Sequence, residues 1–214
     1  MQGSTAKEKV LKNIRSALVN RMEPPFSNVE MDAGVYNEMQ DEDSLEIEFA
    51  VAFKAVQGQF IYCENNDELK ANILSLIDQK GFRNIYSSLS NVRSFISHNK
   101  NYNLVDDVSQ MPYCDAVITD CECLIARFGS VMLSSRQSLS RKGIAGAEVH
   151  IIIAKPEQIV KDIKDAFNYL ENKYDGSLPS MFSLVTGPSR TADIEKTLIM
   201  GAHGPKELYL FLVS

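Results

Sequence analysis

The chain reads as an α/β protein: a mixed, mostly parallel sheet sandwiched by helices, with an N-terminal helical arm. Three observations predict this. From Leu45 onward, apolar stripes at helical spacing alternate with short apolar runs, the pattern of strands that crossover helices bury on both faces. Glycine and proline punctuate the boundaries between these segments. One run, Leu124 to Leu133, carries Phe128-Gly129-Ser130 as a hairpin turn and adds an antiparallel element.

In chain order, Val10, Leu11, Ile14, Ala17 and Leu18 make one helical stripe in Lys7 to Arg21. Pro24 and Pro25 end it, since the residue before proline avoids the helical region. The acidic, aperiodic stretch Met22 to Asp43 is a linker, so residues 1–43 form an arm and 44–214 the α/β domain. Leu45 to Val56 is helical and Gln59 to Cys63 a strand after Gly58. Asn66 or Asp67 caps a helix with Leu69, Ile73, Leu76 and Ile77 on one face, closed by Gly81. Asn84 to Ser87 is a strand, Asn91 to His98 a helix, Asn103 to Val108 extended and Ala116 to Asp120 a central strand. A Ser/Gly/basic loop, Ser134 to Gly146, precedes the strand Val149 to Ala154. Pro156 opens a helix with Ile159, Ile163, Ala166, Phe167 and Leu170 buried. Met181 to Thr186 is a strand, Thr191 to Met200 a short helix, and Glu207 to Val213 the strand that closes the sheet.

Composition narrows the function classes. The chain has 214 residues, a net charge of −6 and 44% apolar residues, an ordinary soluble composition without the basic field that draws nucleic acid. No apolar run reaches the roughly 20 residues that span a bilayer, and charges are spread through the N-terminus. The expectation is a cytoplasmic protein with no nucleic acid or membrane partner. Cys114, Cys121 and Cys123 are spaced C-x6-C-x-C, unlike a zinc knuckle or a cluster motif. Buried structural thiols are expected, with no metal or cofactor held by this chain.

The strand-to-turn segment Thr186-Gly187-Pro188-Ser189-Arg190-Thr191 is the main candidate site. Gly187 permits close approach of backbone, Ser189 or Thr191 can cap the helix expected to follow, and Arg190 can clamp an anion. The bland reading is open beside it: Ser189 and Thr191 act only as caps, Asp193 and Glu195 complement the helix dipole, and Arg190 pairs with one of them. His203, in Gly-Ala-His-Gly-Pro, is the best acid–base candidate, because imidazole titrates near neutral pH. His98 reads as solvated and His150 as hydrogen-bonded structure. No Walker loop, dinucleotide fingerprint, zinc protease motif or nucleophile elbow is present.

Thr186 to Glu195, followed by Gly201-Ala202-His203-Gly204-Pro205-Lys206-Glu207-Leu208, resembles the closing signature of the LUD family, the lactate utilisation protein B/C group. The short C-type member is the nearest in form. Weaker similarity runs back to Phe53. The resemblance implies a fold like that of ribose-5-phosphate isomerase and CoA-transferase proteins. It also implies a cytoplasmic role in oxidising L-lactate to pyruvate beside iron–sulfur subunits of A and B type, with no cluster in this chain. Where the family hairpin reads Ile-Ala-acidic-Thr-Gly-Thr, this chain has Ile125-Ala126-Arg127-Phe128-Gly129-Ser130, preceded by an unusual Cys121-Glu122-Cys123. Arg127 reverses the charge at a position where a ligand could be read.

The leading expectation is an accessory subunit that binds a small anionic ligand through Thr186, Gly187, Ser189, Arg190, Thr191, Arg127 and Gly129, with homo-oligomerisation possible. The alternatives are a stand-alone enzyme of the isomerase or CoA-transferase type, acting on a phosphorylated or thioester substrate, and a non-catalytic assembly module.

Overall fold

Alternation of helices and strands carries through most of the chain. The computed structural model describes residues 6–19, 44–99, 101–136, 147–194, 197–200 and 204–214. The chain divides into an N-terminal unit ending at Met39 and a second unit from Gln40 to Ser214. In the first, α1 spans Ala6–Val19, where the apolar stripe placed it. No helix among the described residues is long and apolar enough to cross a membrane.

The second unit opens with α2 (Leu45–Ala55), β1 (Gln59–Cys63), α3 (Asn66–Lys80), β2 (Asn84–Ser87) and α4 (Ser90–Ser97). The cap of α3 falls one residue before the expected pair: Asn65 accepts from the backbone N–H groups of Asp67 and Glu68 at 3.0 and 2.9 Å. Gly81 closes this helix in the left-handed conformation, φ 71°. Then follow β3 (Asn103–Val105), β4 (Ala116–Thr119), β5 (Cys123–Ile125) and β6 (Ser130–Ser134). The last third holds β7 (Val149–Ala154), β8 (Ile159–Val160), α5 (Ile163–Lys173), β9 (Phe182–Val185), β10 (Arg190–Ile194), β11 (Thr197–Met200) and β12 (Glu207–Val213).

Six strands form a wholly parallel sheet in the order β1-β12-β7-β4-β2-β3. One face, with Ile85, Ile118, Ile151, Phe211 and Val213, packs on Leu69, Ile73 and Ile77 of α3 and on Val92 and Ile96 of α4. The alternate residues Val117, Ile152, Leu208, Leu210 and Leu212 are also buried. Burial on both faces is why these strands read as continuous apolar runs rather than as alternation. On this second side α2 lies by the edge strand, with the Phe49 and Phe60 rings 6.3 Å apart.

Four expectations need correction. First, the hairpin does not join the main sheet. It builds a separate four-stranded sheet, β8-β5-β6-β9, antiparallel except for β5–β8, and the Met181–Thr186 strand joins it as β9. Its core is Cys123, Ile125 and Met132 under Ala166 and Leu170 of α5. Second, the helix expected from Pro156 starts late. Pro156–Gln158 is a 3-10 turn, and the Gln158 amide donates to the carbonyl oxygens of Cys121 (2.7 Å) and Glu122 (3.3 Å). That tether draws Ile159–Val160 into pairing with β5, and α5 begins only after Asp162, which caps Ile163. Third, Thr191–Met200 is a β-hairpin, not a helix: β10 and β11 pair Arg190 with Met200, Thr191 with Ile199 and Ile194 with Thr197. Its β-branched residues favour extended backbone once a partner strand exists. Fourth, β12 does not close an edge but lies between β1 and β7.

The end of α2 carries an unusual residue. Val56 is the C-cap, the N–H of Gly58 donates to Phe53 and that of Gln57 to Lys54, a Schellman pattern. Its left-handed position holds Gln57 (φ 68°) where glycine is preferred. Gln57→Gly is expected to raise the stability of the fold by about 0.5–1 kcal/mol, read as a higher urea midpoint. A lower midpoint would mean that the Gln57 side chain contributes contacts that outweigh its strain.

Candidate functional site

Several of the sequence-selected residues converge on the last turn of α2, and the reason is steric. Gly129 (φ 57°) closes the β5–β6 turn directly against the α2 backbone: a Cβ there would lie 2.3 Å from the Phe53 nitrogen. Gly187 (φ 76°) follows β9 and lies equally close to the end of the same helix, where a Cβ would be 2.1 Å from the Val56 carbonyl oxygen. Arg190 donates to that oxygen at 3.4 Å, a favourable place for a cation at a helix C-terminus. The N–H of Ser189 donates to the Pro205 carbonyl at 2.8 Å, binding the turn to the start of β12. Thr191 lies in β10. With no helix beginning here, the expected cradle of helix N-terminal amides at Ser189–Thr191 has no physical basis. His203 lies outside the described residues.

Two cavities flank this grip. One, of about 550 Å³, is lined by Ala52, Val56, Arg127, Ser130, Leu184 and Thr186 among others. The hydroxyls of Ser130 and Thr186 share a hydrogen bond of 2.7 Å across β6 and the end of β9. Arg127 is held by Asp162, Nε to Oδ2 2.7 Å, in a largely buried pair. Asp162 also caps α5, so one carboxylate fixes both the arginine and the start of the helix. The positive charge of Arg127 is therefore matched within the chain. The cavity combines a guanidinium, two hydroxyls and aliphatic walls, a set suited to a small organic acid. The other cavity, of about 640 Å³, is lined by Lys54, Gln57, Lys80, Pro188, Lys206 and Glu207 among others.

A cluster that sequence reasoning noted only as unusual centres on Glu122. Its side chain is fully buried. One carboxylate oxygen accepts from Tyr174 Oη at 2.7 Å and from Ser134 Oγ at 2.5 Å, and the other from Lys173 Nζ at 2.7 Å. Burial would push the carboxyl up, but the bonds from Lys173, Ser134 and Tyr174 outweigh it and hold it below its ordinary range. Arg136 lies 4.7 Å over the Tyr174 ring. The signal was one acidic residue inside an apolar run, Cys121-Glu122-Cys123-Leu124. Its partners could not be read from spacing: Ser134 ends β6, while Lys173 and Tyr174, at the end of α5, are 51 and 52 residues away.

The remaining candidates take structural places. Cys63, Cys114, Cys121 and Cys123 are buried free thiols, and burial raises Cys123 to about 12. Among the described residues no group of three or more His, Cys, Asp and Glu is placed to hold a metal ion. His98 is exposed at the end of α4. His150 is buried, with Nε2 2.8 Å from Thr119 Oγ1. The Thr119 hydroxyl spends its proton on the Asp120 carbonyl, so Nε2 of His150 is the donor to Thr119. Burial lowers this imidazole from 6.5 to about 4.

The unfolded chain takes up this proton near pH 6.5, whereas the folded chain resists it down to about 4. Its contribution to stability is therefore complete above 6.5 and is lost as pH falls towards 4. Denaturant midpoints between pH 7 and about 5 should fall in the wild type and flatten in His150→Gln. An unchanged slope in that variant would refute the assignment.

Comparison with known proteins agrees with this architecture. The model of the LUD domain matches residues 47–213. A relative from Neisseria meningitidis serogroup B, described as an uncharacterized protein, is 32% identical over 99 residues, covering 46% of this chain and 42% of its own. Lactate utilization protein C of Bacillus subtilis is 31% identical over 111 residues, 51% of this chain and 46% of that one. The chain thus spans about half the length of the curated relatives it matches. A crystal structure of a DUF162 family protein from Deinococcus radiodurans superposes with a TM-score of 0.58 at 16% identity, covering 79% of this chain and 96% of that one. The match to the domain model runs from α2 through β12, including both glycine contacts and all six parallel strands: the chain belongs to the LUD domain family.

Proposed function

We propose that the chain serves lactate utilisation as a cytoplasmic accessory subunit that binds a small organic acid and holds no iron–sulfur cluster of its own. Its LUD domain and its likeness to proteins named lactate utilization protein C support the metabolic reading. The observation that carries the ligand reading is the cavity of about 550 Å³ where Arg127, Ser130 and Thr186 meet Ala52, Val56 and Leu184. A carboxylate pairs with Arg127, a hydroxyl with Ser130 or Thr186, and a methyl group rests on the aliphatic wall. Gly129 and Gly187 set the walls by seating α2, while Ser189, Arg190 and Thr191 support the turn. His203 is the acid–base residue of this proposal. Iron–sulfur subunits of A and B type are the partners that would carry electrons from lactate oxidation.

Deletion of the gene in the encoding organism should abolish growth on L-lactate as sole carbon source. Wild-type chain should restore it, and Arg127→Gln should restore it poorly. Unimpaired growth of the deletion strain would overturn the metabolic reading. Full rescue by a stably folded Arg127→Gln would overturn the ligand site alone. Co-purification with iron–sulfur subunits tests the partnership.

A further inference from the structure

The geometry points to a second binding site, for a small phosphorylated molecule, in the lysine-lined cavity at the end of α2. This cavity, about 640 Å³, is bordered by Lys54 and Gln57 at the end of α2, Lys80 at the end of α3, and Pro188, Lys206 and Glu207. Three lysines and one carboxylate thus line it. Glu207 is already held: Lys80 bonds both of its oxygens, at 2.9 and 2.7 Å, and Tyr209 Oη donates to it at 2.6 Å. Lys54 enters no ion pair among the described residues. Lys206 pairs with Glu148, but both are well exposed, and such pairs exchange readily for a stronger anion.

The chemistry favours phosphate over carboxylate. Lysine ammonium groups bind phosphate as compact point charges, and a phosphoryl group offers them more oxygens and more negative charge than a carboxylate does. The wall is built rather than incidental. Gly58 is required there, since a Cβ would lie 2.4 Å from the Phe53 ring. Gln57 lines the cavity at the cost of left-handed backbone where glycine is easier. That strain has no evident gain in the fold itself, and a polar ligand supplies one.

The test is calorimetric titration of the full chain with pyrophosphate at fixed ionic strength, beside L-lactate. Pyrophosphate should bind saturably, and Lys54→Gln and Lys206→Gln should each weaken it about tenfold. Lys164→Gln, on the exposed side of α5, should bind as the wild type does. Unchanged thermal midpoints would show that each variant is folded. The inference falls if pyrophosphate does not saturate, or if both cavity variants bind it as tightly as the wild type. It also falls if binding is seen only to vesicles of phosphatidylcholine with phosphatidic acid. Growth on lactate reads the other cavity, so either proposal can fail alone.

Discussion

Gly129→Ala is expected to destabilise the protein by about 3–5 kcal/mol, through backbone strain and overpacking together. The added Cβ would meet backbone atoms of Ala52 and Phe53 at 2.3–2.6 Å, and backbone cannot rotate away as a flexible side chain can. Either α2 lifts from the β5–β6 turn or the turn unwinds. Both routes open the cavity lined by Ala52, Arg127 and Ser130. Gly81→Ala is the control. It has a similar φ of 71° but nothing within 4 Å of the new Cβ, so it should lose only about 1 kcal/mol of conformational preference. Urea denaturation of the two variants separates the effects. Equal losses at both positions would show that Gly129 is needed for its φ and not for close packing.

The second large effect is expected at Glu122. Replacement by leucine removes three acceptor contacts at once and leaves the donors of Ser134, Lys173 and Tyr174 without their carboxylate. The expected loss is about 3 kcal/mol, towards the low end for a broken buried pair. Lys173 is 38% exposed and recovers part of its hydration. Glu122→Gln should lose less, since an amide still accepts from Tyr174 or Ser134. The carboxyl is held below its ordinary value of 4.5, so its stabilising effect is full above 4.5 and disappears as pH falls through the folded value. Acid unfolding of the wild type should thus be steeper below pH 4.5 than that of Glu122→Leu. Identical acid limbs would refute an ionised, paired Glu122.

What could be read from the residues follows from what local chemistry encodes. Helix α3 was legible, to within one residue at its cap, because its apolar period and its Gly81 stop lie within one segment. The parallel strands were legible because burial on both faces leaves apolar runs such as Val149–Ala154. Thr191–Met200 was misread because Asp193 and Glu195 offered a plausible first helical turn. Its actual hydrogen bonds join Arg190–Ile194 to Thr197–Met200, and local preference yields to such pairing when the residues are β-branched. Pro156 was misread for a similar reason: the Gln158 side chain reaches back to Cys121 and Glu122 and holds the chain extended.

The residues by themselves determined the α/β class, the succession of most elements, the buried character of the cysteines and the family signature around Gly187. Tertiary structure alone decided which residues meet. It gave Arg127 to Asp162, gathered Lys173, Tyr174 and Ser134 around Glu122, and set Gly129 and Gly187 against the same turn of α2. The physical reason is range. Period, caps and turn residues act over a few positions along the chain, whereas these contacts join segments 12 to about 130 positions apart, and only packing brings them within bonding distance.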